Sequence, residues 1–116
     1  MSDDMIRGNA LIGVAKDSDV ASAAGVMLRE NIGALGVYDG DDLLGILTER
    51  DLTRVVAEYR DVRETSVHDA MTISPLSAEG PISRESAATL MRENHVRHLI
   101  LKDEDGSDRI VSIRDL

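Results

Sequence analysis

The chain states one pattern twice, 64 positions apart, and that duplication limits the folds open to it more than any other feature. Residues 12–52 lie over residues 76–116 without a gap. Ser22-Ala23-Ala24-x-x-Met27 falls on Ser86-Ala87-Ala88-x-x-Met91, Leu35 on Leu99, and Asp39 on Asp103. Thr48-Glu49-Arg50-Asp51-Leu52 falls on Ser112-Ile113-Arg114-Asp115-Leu116. Two copies of one small supersecondary unit, neither large enough to bury its apolar face alone, are expected to make one α+β domain, with function at the seam between them.

Each copy reads as strand, helix, strand, turn, strand and second helix. Leu11 to Val14 is a short apolar strand, and Asp17-Ser18-Asp19 offers helix caps before Val20, Ala23, Ala24 and Met27 at helical spacing. Asn31 closes that helix. Gly33 to Tyr38 and Leu43 to Leu47 are apolar strands joined by Asp39-Gly40-Asp41-Asp42, whose residues suit a tight turn. Thr48 starts the second helix, with Leu52, Val55, Val56 and Tyr59 expected on its apolar face. In the second copy, Leu76 to Ala78 is the short strand and Ser83 caps a helix bearing Ala87, Ala88 and Met91. Val96 to Leu101 and Arg109 to Ser112 are the paired strands. The linking segment from Arg60 to Thr72 is expected to hold a helical turn near Val67-His68-Asp69-Ala70-Met71. The sequence stops at Leu116, where the second copy should begin its closing helix, so that final helix is expected to be truncated.

Composition excludes several functions. Without cysteine there is no disulfide framework, thiolate zinc site or thiol nucleophile. No apolar run approaches the roughly 20 residues that span a bilayer, and the acidic N-terminus does not read as a signal peptide, so a cytoplasmic location and no membrane association are expected. A net charge of −9 opposes general attraction to nucleic acid or anionic lipid. With two tyrosines and no Phe or Trp, there is no stacking platform for bases, and a bound heterocycle would lie against aliphatic walls and backbone.

The repeated Thr/Ser-x-x-Asp leaves the last strand of each copy and opens a helix. It fits a capping box, in which the hydroxyl accepts a backbone N–H and the acid reaches back. It also fits an anion site, because a helix N-terminus attracts phosphate, a hydroxyl can donate to it and a nearby Arg can neutralise it. The Asp can accept two ribose hydroxyls, and the two roles can coexist.

Ala23 to Leu52, with Ala-Ala-x-x-Met-x-x-x-x-Ile-Gly-Ala-Leu-x-Val-x-Asp and Gly-Ile-Leu-Thr-Glu-Arg-Asp-Leu, resembles a CBS (cystathionine-beta-synthase) motif. Ala87 to Leu116, with Val96-Arg97-His98-Leu99, resembles it too, and Val67-His68-Asp69-Ala70-Met71-Thr72 is similar to the lead-in of such pairs. The resemblance to a tandem CBS pair, or Bateman module, covers nearly the whole chain. It places repeat one at residues 1–62 and repeat two at residues 63–116.

That resemblance implies two β-α-β-β-α repeats packed through their sheets with pseudo-twofold symmetry, forming one module. It implies a regulatory role, with AMP, ADP, ATP or S-adenosylmethionine bound in clefts between the repeats and no cofactor required. A homodimer and a regulated partner enzyme or transporter are implied as well. Carried onto this chain, Asp51 and Asp115 hold ribose, and Thr48 and Ser112 contact phosphate or ribose. Arg50, Arg97 and Arg114 neutralise phosphate, with His98 beside Arg97. Ile12, Val14, Gly33, Leu35, Leu76 and Ala78 frame the adenine. The competing possibility is a ligand-free structural or dimerisation module in which the Thr/Ser-x-x-Asp sequences act only as caps.

The remaining candidates carry less. His68 reads as structural, His95 as a solvated helix end, and no set of residues shows zinc-ligand spacing. The clusters Asp39-Gly40-Asp41-Asp42 and Asp103-Glu104-Asp105 lack the layout of a calcium loop and read as solvated turns. No nucleophile–base pair emerges, so no catalytic activity is expected.

Overall fold

A computed structural model of the protein describes residues 5–116. In chain order, these form strands β1 (Met5–Ile6), β2 (Asn9–Ala10) and β3 (Gly13–Ala15), helix α1 (Val20–Glu30), strands β4 (Ala34–Asp39) and β5 (Asp42–Thr48), and helices α2 (Glu49–Ala57) and α3 (Val67–Ala70). Strands β6 (Thr72–Ile73), β7 (Ser77–Glu79) and β8 (Ile82–Ser83), helix α4 (Arg84–Glu93), strands β9 (His98–Lys102) and β10 (Asp108–Ser112), and a 3-10 turn at Ile113–Asp115 complete it. The chain divides into two compact units: Ile12–Ser74, and the N-terminal stretch through Leu11 together with Pro75–Leu116.

In the Ile12–Ser74 unit, a four-stranded sheet runs β3-β4-β5-β6, with β3 parallel to β4 and the other pairs antiparallel. Helix α1 starts where the Asp19 side chain accepts the Ser22 N–H, and it stops where Asn31 takes a left-handed φ of 54°. Val20, Ala23 and Met27 recur at helical spacing and are buried against Leu35, Val37, Leu47, Val55, Val67 and Ala70. Burying a large aliphatic side chain of this kind stabilises the fold by roughly 1.5–3 kcal/mol. Residues 63–74 fold here, because Val67 and Ala70 belong to this core and the Val20 N–H donates to Thr65 O at 2.9 Å. The expected apolar face of α2 is narrower than its sequence suggested. Val55 is fully buried, but Val56 is 64% exposed and Tyr59 is 96% exposed. Tyr59 lies beyond the end of α2 with φ at 60°, so the helical spacing that should have carried it inward has already ended.

In the other unit, a four-stranded sheet runs β2-β10-β9-β7, and β1 pairs with β8. Ser83 caps α4 by accepting the Ser86 N–H at 3.0 Å. Ala87 and Met91 of that helix pack on Leu99, Leu101 and Val111. The pairings of β1 and β2 were not anticipated. Asn9 and Ala10 are exposed and pair with β10 along the backbone, and the Arg109 guanidinium of β10 also donates to Gly8 O at 2.8 Å.

The sequence repeat is also a repeat of hydrogen bonds. Gly36 N–H donates to Ile12 O at 2.8 Å, and Ile100 N–H to Leu76 O at 2.9 Å. Ile32 N–H donates to Met27 O and Val96 N–H to Met91 O, both at 3.0 Å. Asn31 and His95 share the left-handed backbone, with φ of 54° and 55°. Each pair is offset by the same 64 positions that relate the sequences.

Candidate functional site

Each unit gathers its candidate residues at one end of its sheet, where two parallel strands begin and the last strand leaves for a helix. In the Ile12–Ser74 unit, Ile12 accepts from Gly36, Ala34 stands opposite Thr48, and the Glu49 N–H donates to Gly33 O at 3.1 Å. Ile12, Gly33 and Thr48 therefore come together. Gly33 is held close, since a Cβ there would meet Glu49 Oε1 at 2.7 Å. Leu35 is fully buried in the core with Val14 packed against that core, so both support this end from below. Arg50 is exposed in the first turn of α2. In the other unit, Leu76 accepts from Ile100, Ser112 stands opposite His98, and the Ile113 N–H donates to Arg97 O at 2.8 Å. Leu76 and Ala78 pack against the second core, Arg97 and Arg114 are exposed, and His98 is half-buried.

Both Thr/Ser-x-x-Asp sequences form capping boxes. Thr48 N–H donates to Asp51 Oδ2 at 2.9 Å, and Ser112 N–H donates to Asp115 Oδ2 at 2.8 Å. The two carboxylates then differ. Asp51 is buried, with its side chain 2% exposed. The Thr48 hydroxyl donates to its Oδ2 at 3.1 Å, the Thr72 hydroxyl to its Oδ1 at 3.1 Å, and Arg54 Nη2 lies 3.0 Å from Oδ1. Arg54 also donates to Ala70 O at 2.8 Å, which ties α2 to α3. Asp115 is exposed, and beyond the Ser112 contact it accepts only a long 3.5 Å approach from Asn9 Nδ2 among the described residues. Arg84 donates to the Asp115 backbone carbonyl at 2.6 Å.

Thr72 and Arg54 were missed as partners of Asp51. Arg54 is three positions along the same helix, a spacing that places two side chains on one face and could have been read. Thr72 lies 21 residues away in sequence, and only the pairing of β6 with β5 brings it there.

The other polar clusters are local. His68 Nδ1 lies 3.6 Å from Asp69, and both side chains are exposed. Among the described residues, no three His, Cys, Asp or Glu side chains converge as metal ligands. Lys16, just past β3, pairs with Asp39 at the end of β4 at 3.3 Å, and Lys102 pairs with Asp108 across the β9–β10 hairpin. The Ser22 hydroxyl and backbone N–H hold the Asp19 carboxyl below its ordinary range, and the Ser107 hydroxyl and backbone N–H do the same for Asp105. A shallow groove over α1 is lined by Asp19, Ala21, Ser22, Gly25, Val26, Arg29 and Arg63, away from the sheet ends. No helix among the described residues is long and apolar enough to cross a membrane.

Comparison with known proteins places this geometry in a family. The CBS domain family profile matches residues 2–58. The CBS domain-containing protein YhcV of Bacillus subtilis (strain 168) is 33% identical over 104 residues, covering 89% of this chain and 74% of YhcV. A structure of a protein with CBS domains from Burkholderia ambifaria MC40-6 is 38% identical with a TM-score of 0.86, covering 93% of this chain and 80% of that one. The CBS domain protein PAE2072 from Pyrobaculum aerophilum, complexed with AMP, has the same fold at 22% identity and a TM-score of 0.80, covering 96% of this chain and 90% of that one. The duplicated strand–helix units and these relationships make this chain a member of the CBS domain family, built as a tandem pair of the regulatory modules that give the family its name.

Proposed function

We propose that this chain is a ligand-sensing module that binds an adenosine-containing nucleotide (AMP, ADP, ATP or S-adenosylmethionine) and passes its state to a partner enzyme or transporter, working as a homodimer. The observation that carries this reading is the duplicated start of α2 and of the 3-10 turn. In both, a capping hydroxyl, an arginine and a carboxylate stand in register at the mouth of two parallel strands. The chemistry suits a nucleotide. A carboxylate accepts two ribose hydroxyls, exposed Arg50, Arg97 and Arg114 suit phosphate oxygens, and Ile12 and Leu76 offer aliphatic contact to a base. The AMP held by the P. aerophilum protein makes AMP the natural first probe.

The competing reading is a ligand-free scaffold, and the internal saturation of Asp51 favours it at the first copy. A thermal-shift titration with AMP, ADP, ATP and S-adenosylmethionine, beside guanine nucleotides, separates the two. A nucleotide at about 100 times its Kd adds roughly 2.7 kcal/mol, a rise of several degrees. A selective rise with an adenosyl compound supports the sensor. No rise with any of them at millimolar concentration leaves the scaffold.

A further inference from the structure

We infer that the nucleotide position at the start of α2 is gated from within the chain by Thr72, whose hydroxyl holds an acceptor position on Asp51 that a ribose hydroxyl needs. The inference rests on the reading above that Asp51 takes ribose. A carboxylate has about four acceptor positions. On Asp51 the Thr48 N–H and Thr48 hydroxyl take Oδ2, and the Thr72 hydroxyl and Arg54 take Oδ1. All four are filled, and the side chain is 2% exposed, so a ribose hydroxyl enters only by displacing a donor already present. The Thr48 N–H cannot leave without dissolving the cap that starts α2. The Thr48 hydroxyl is held a second time, accepting the Asp51 N–H at 3.3 Å, and Arg54 is anchored a second time, on Ala70 O. Thr72 has no such anchor for its hydroxyl and is itself exposed, so water re-solvates that hydroxyl once it swings away. Thr72 is therefore the donor that yields.

Its place in the chain gives the displacement a consequence. Thr72 opens β6, which is held to β5 at Ile46 and Gly45, and the Ile12–Ser74 unit ends two residues later. A ligand that takes the Thr72 position on Asp51 competes with one attachment of β6. It then binds the docked and loosened forms of that strand with different affinity, which is the condition for a ligand to transmit a signal.

The test compares AMP binding by isothermal calorimetry in the full chain carrying Asp115→Asn, with and without Thr72→Val. Valine keeps the branched shape and removes the hydroxyl. The gate predicts AMP affinity higher by about three- to tenfold in the Thr72→Val chain, the worth of one net hydrogen bond, with Thr72→Ser binding like the parent. It also predicts that AMP speeds hydrogen exchange at the Thr72 and Ile73 amides of the unmodified chain, a readout that does not depend on any variant folding. Unchanged or weaker binding by Thr72→Val, or AMP slowing exchange at those amides, overturns the gate and leaves the sensor standing. AMP that binds the unmodified chain but neither Asp115→Asn chain does the same. No AMP binding to any chain overturns the gate, and the sensor falls with it only if ADP, ATP and S-adenosylmethionine also leave the Tm of the unmodified chain unchanged.

Discussion

Replacing Asp51 by Ala should be the most damaging single change at either Thr/Ser-x-x-Asp sequence, and the structure gives its size. The substitution removes the reciprocal half of the α2 capping box, worth about 1 kcal/mol. It strips the Thr72 hydroxyl of its acceptor, and because Thr72 is exposed and that hydroxyl rehydrates, the loss is the net worth of one hydrogen bond, about 1 kcal/mol. Arg54 loses its partner too, but its side chain is 48% exposed, so the freed guanidinium rehydrates and adds little. The sum is about 2 kcal/mol, or a fall in Tm of roughly 8 °C for a domain near this size. Asp115→Ala removes an exposed carboxylate whose one short bond is to the Ser112 N–H, so about 0.5–1 kcal/mol should be lost. Urea unfolding followed by far-UV circular dichroism measures both, and a cycle of Asp51→Ala with Thr72→Val should return a coupling of about 1 kcal/mol. If the two aspartate variants fall within about 0.5 kcal/mol of each other, the buried four-donor network does not stabilise the fold as argued.

Three further outcomes follow from the geometry. Gly45→Ala would push a Cβ into the Thr72 carbonyl oxygen and within 3.0 Å of Met71 Sδ, so β6 must shift at a cost of roughly 1–3 kcal/mol, measurable by chemical denaturation. Val55→Ala should cost about 2 kcal/mol, while Val56→Ala next to it changes stability by less than about 0.5 kcal/mol, because only the first is buried. Asp19 is held below its ordinary value of 3.8 by Ser22, so its support for α1 is complete above that value and disappears as pH falls through the lower folded value. A carbon-13 NMR titration should find its midpoint below 3.8, and Ser22→Ala should move that midpoint back up.

Much of the fold was legible because local chemistry and the repeat agreed. Asp19, Thr48 and Ser83 are cap residues followed by helical spacing, and each caps the helix expected of it. Asn31 marked a helix end by its tolerance of the left-handed backbone, and the register carries the same conformation to His95, a residue type also enriched in that region. The N-terminal strands were not legible, since Asn9-Ala10 pairs through backbone and shows no apolar period. Tyr59 was misplaced because a periodic pattern does not say where its helix stops. At the candidate site, the sequence named the hydroxyl and the acid of each capping box. It could not tell that Asp51 would be enclosed and Asp115 exposed, because that difference depends on Thr72, which a strand pairing brings in from 21 residues away.

The pairing of β2 with β10 also sets a schedule for the chain as it is made. Ile12–Ser74 is contiguous, so every residue of its core is present once Ser74 has been synthesised. Gly8, by contrast, receives the Arg109 guanidinium across 101 positions, and Asn9 waits for Ile110. Closing so long a span costs little at equilibrium, because each doubling of a loop adds only about 0.6 kcal/mol. In time, however, the order is strict: the contiguous unit can fold while the second is incomplete, and β2 finds its partner only when β10 arrives. The described chain is thus assembled from the middle outward, and Asn9 and Ala10, translated about 100 residues before Arg109 and Ile110, must wait for them.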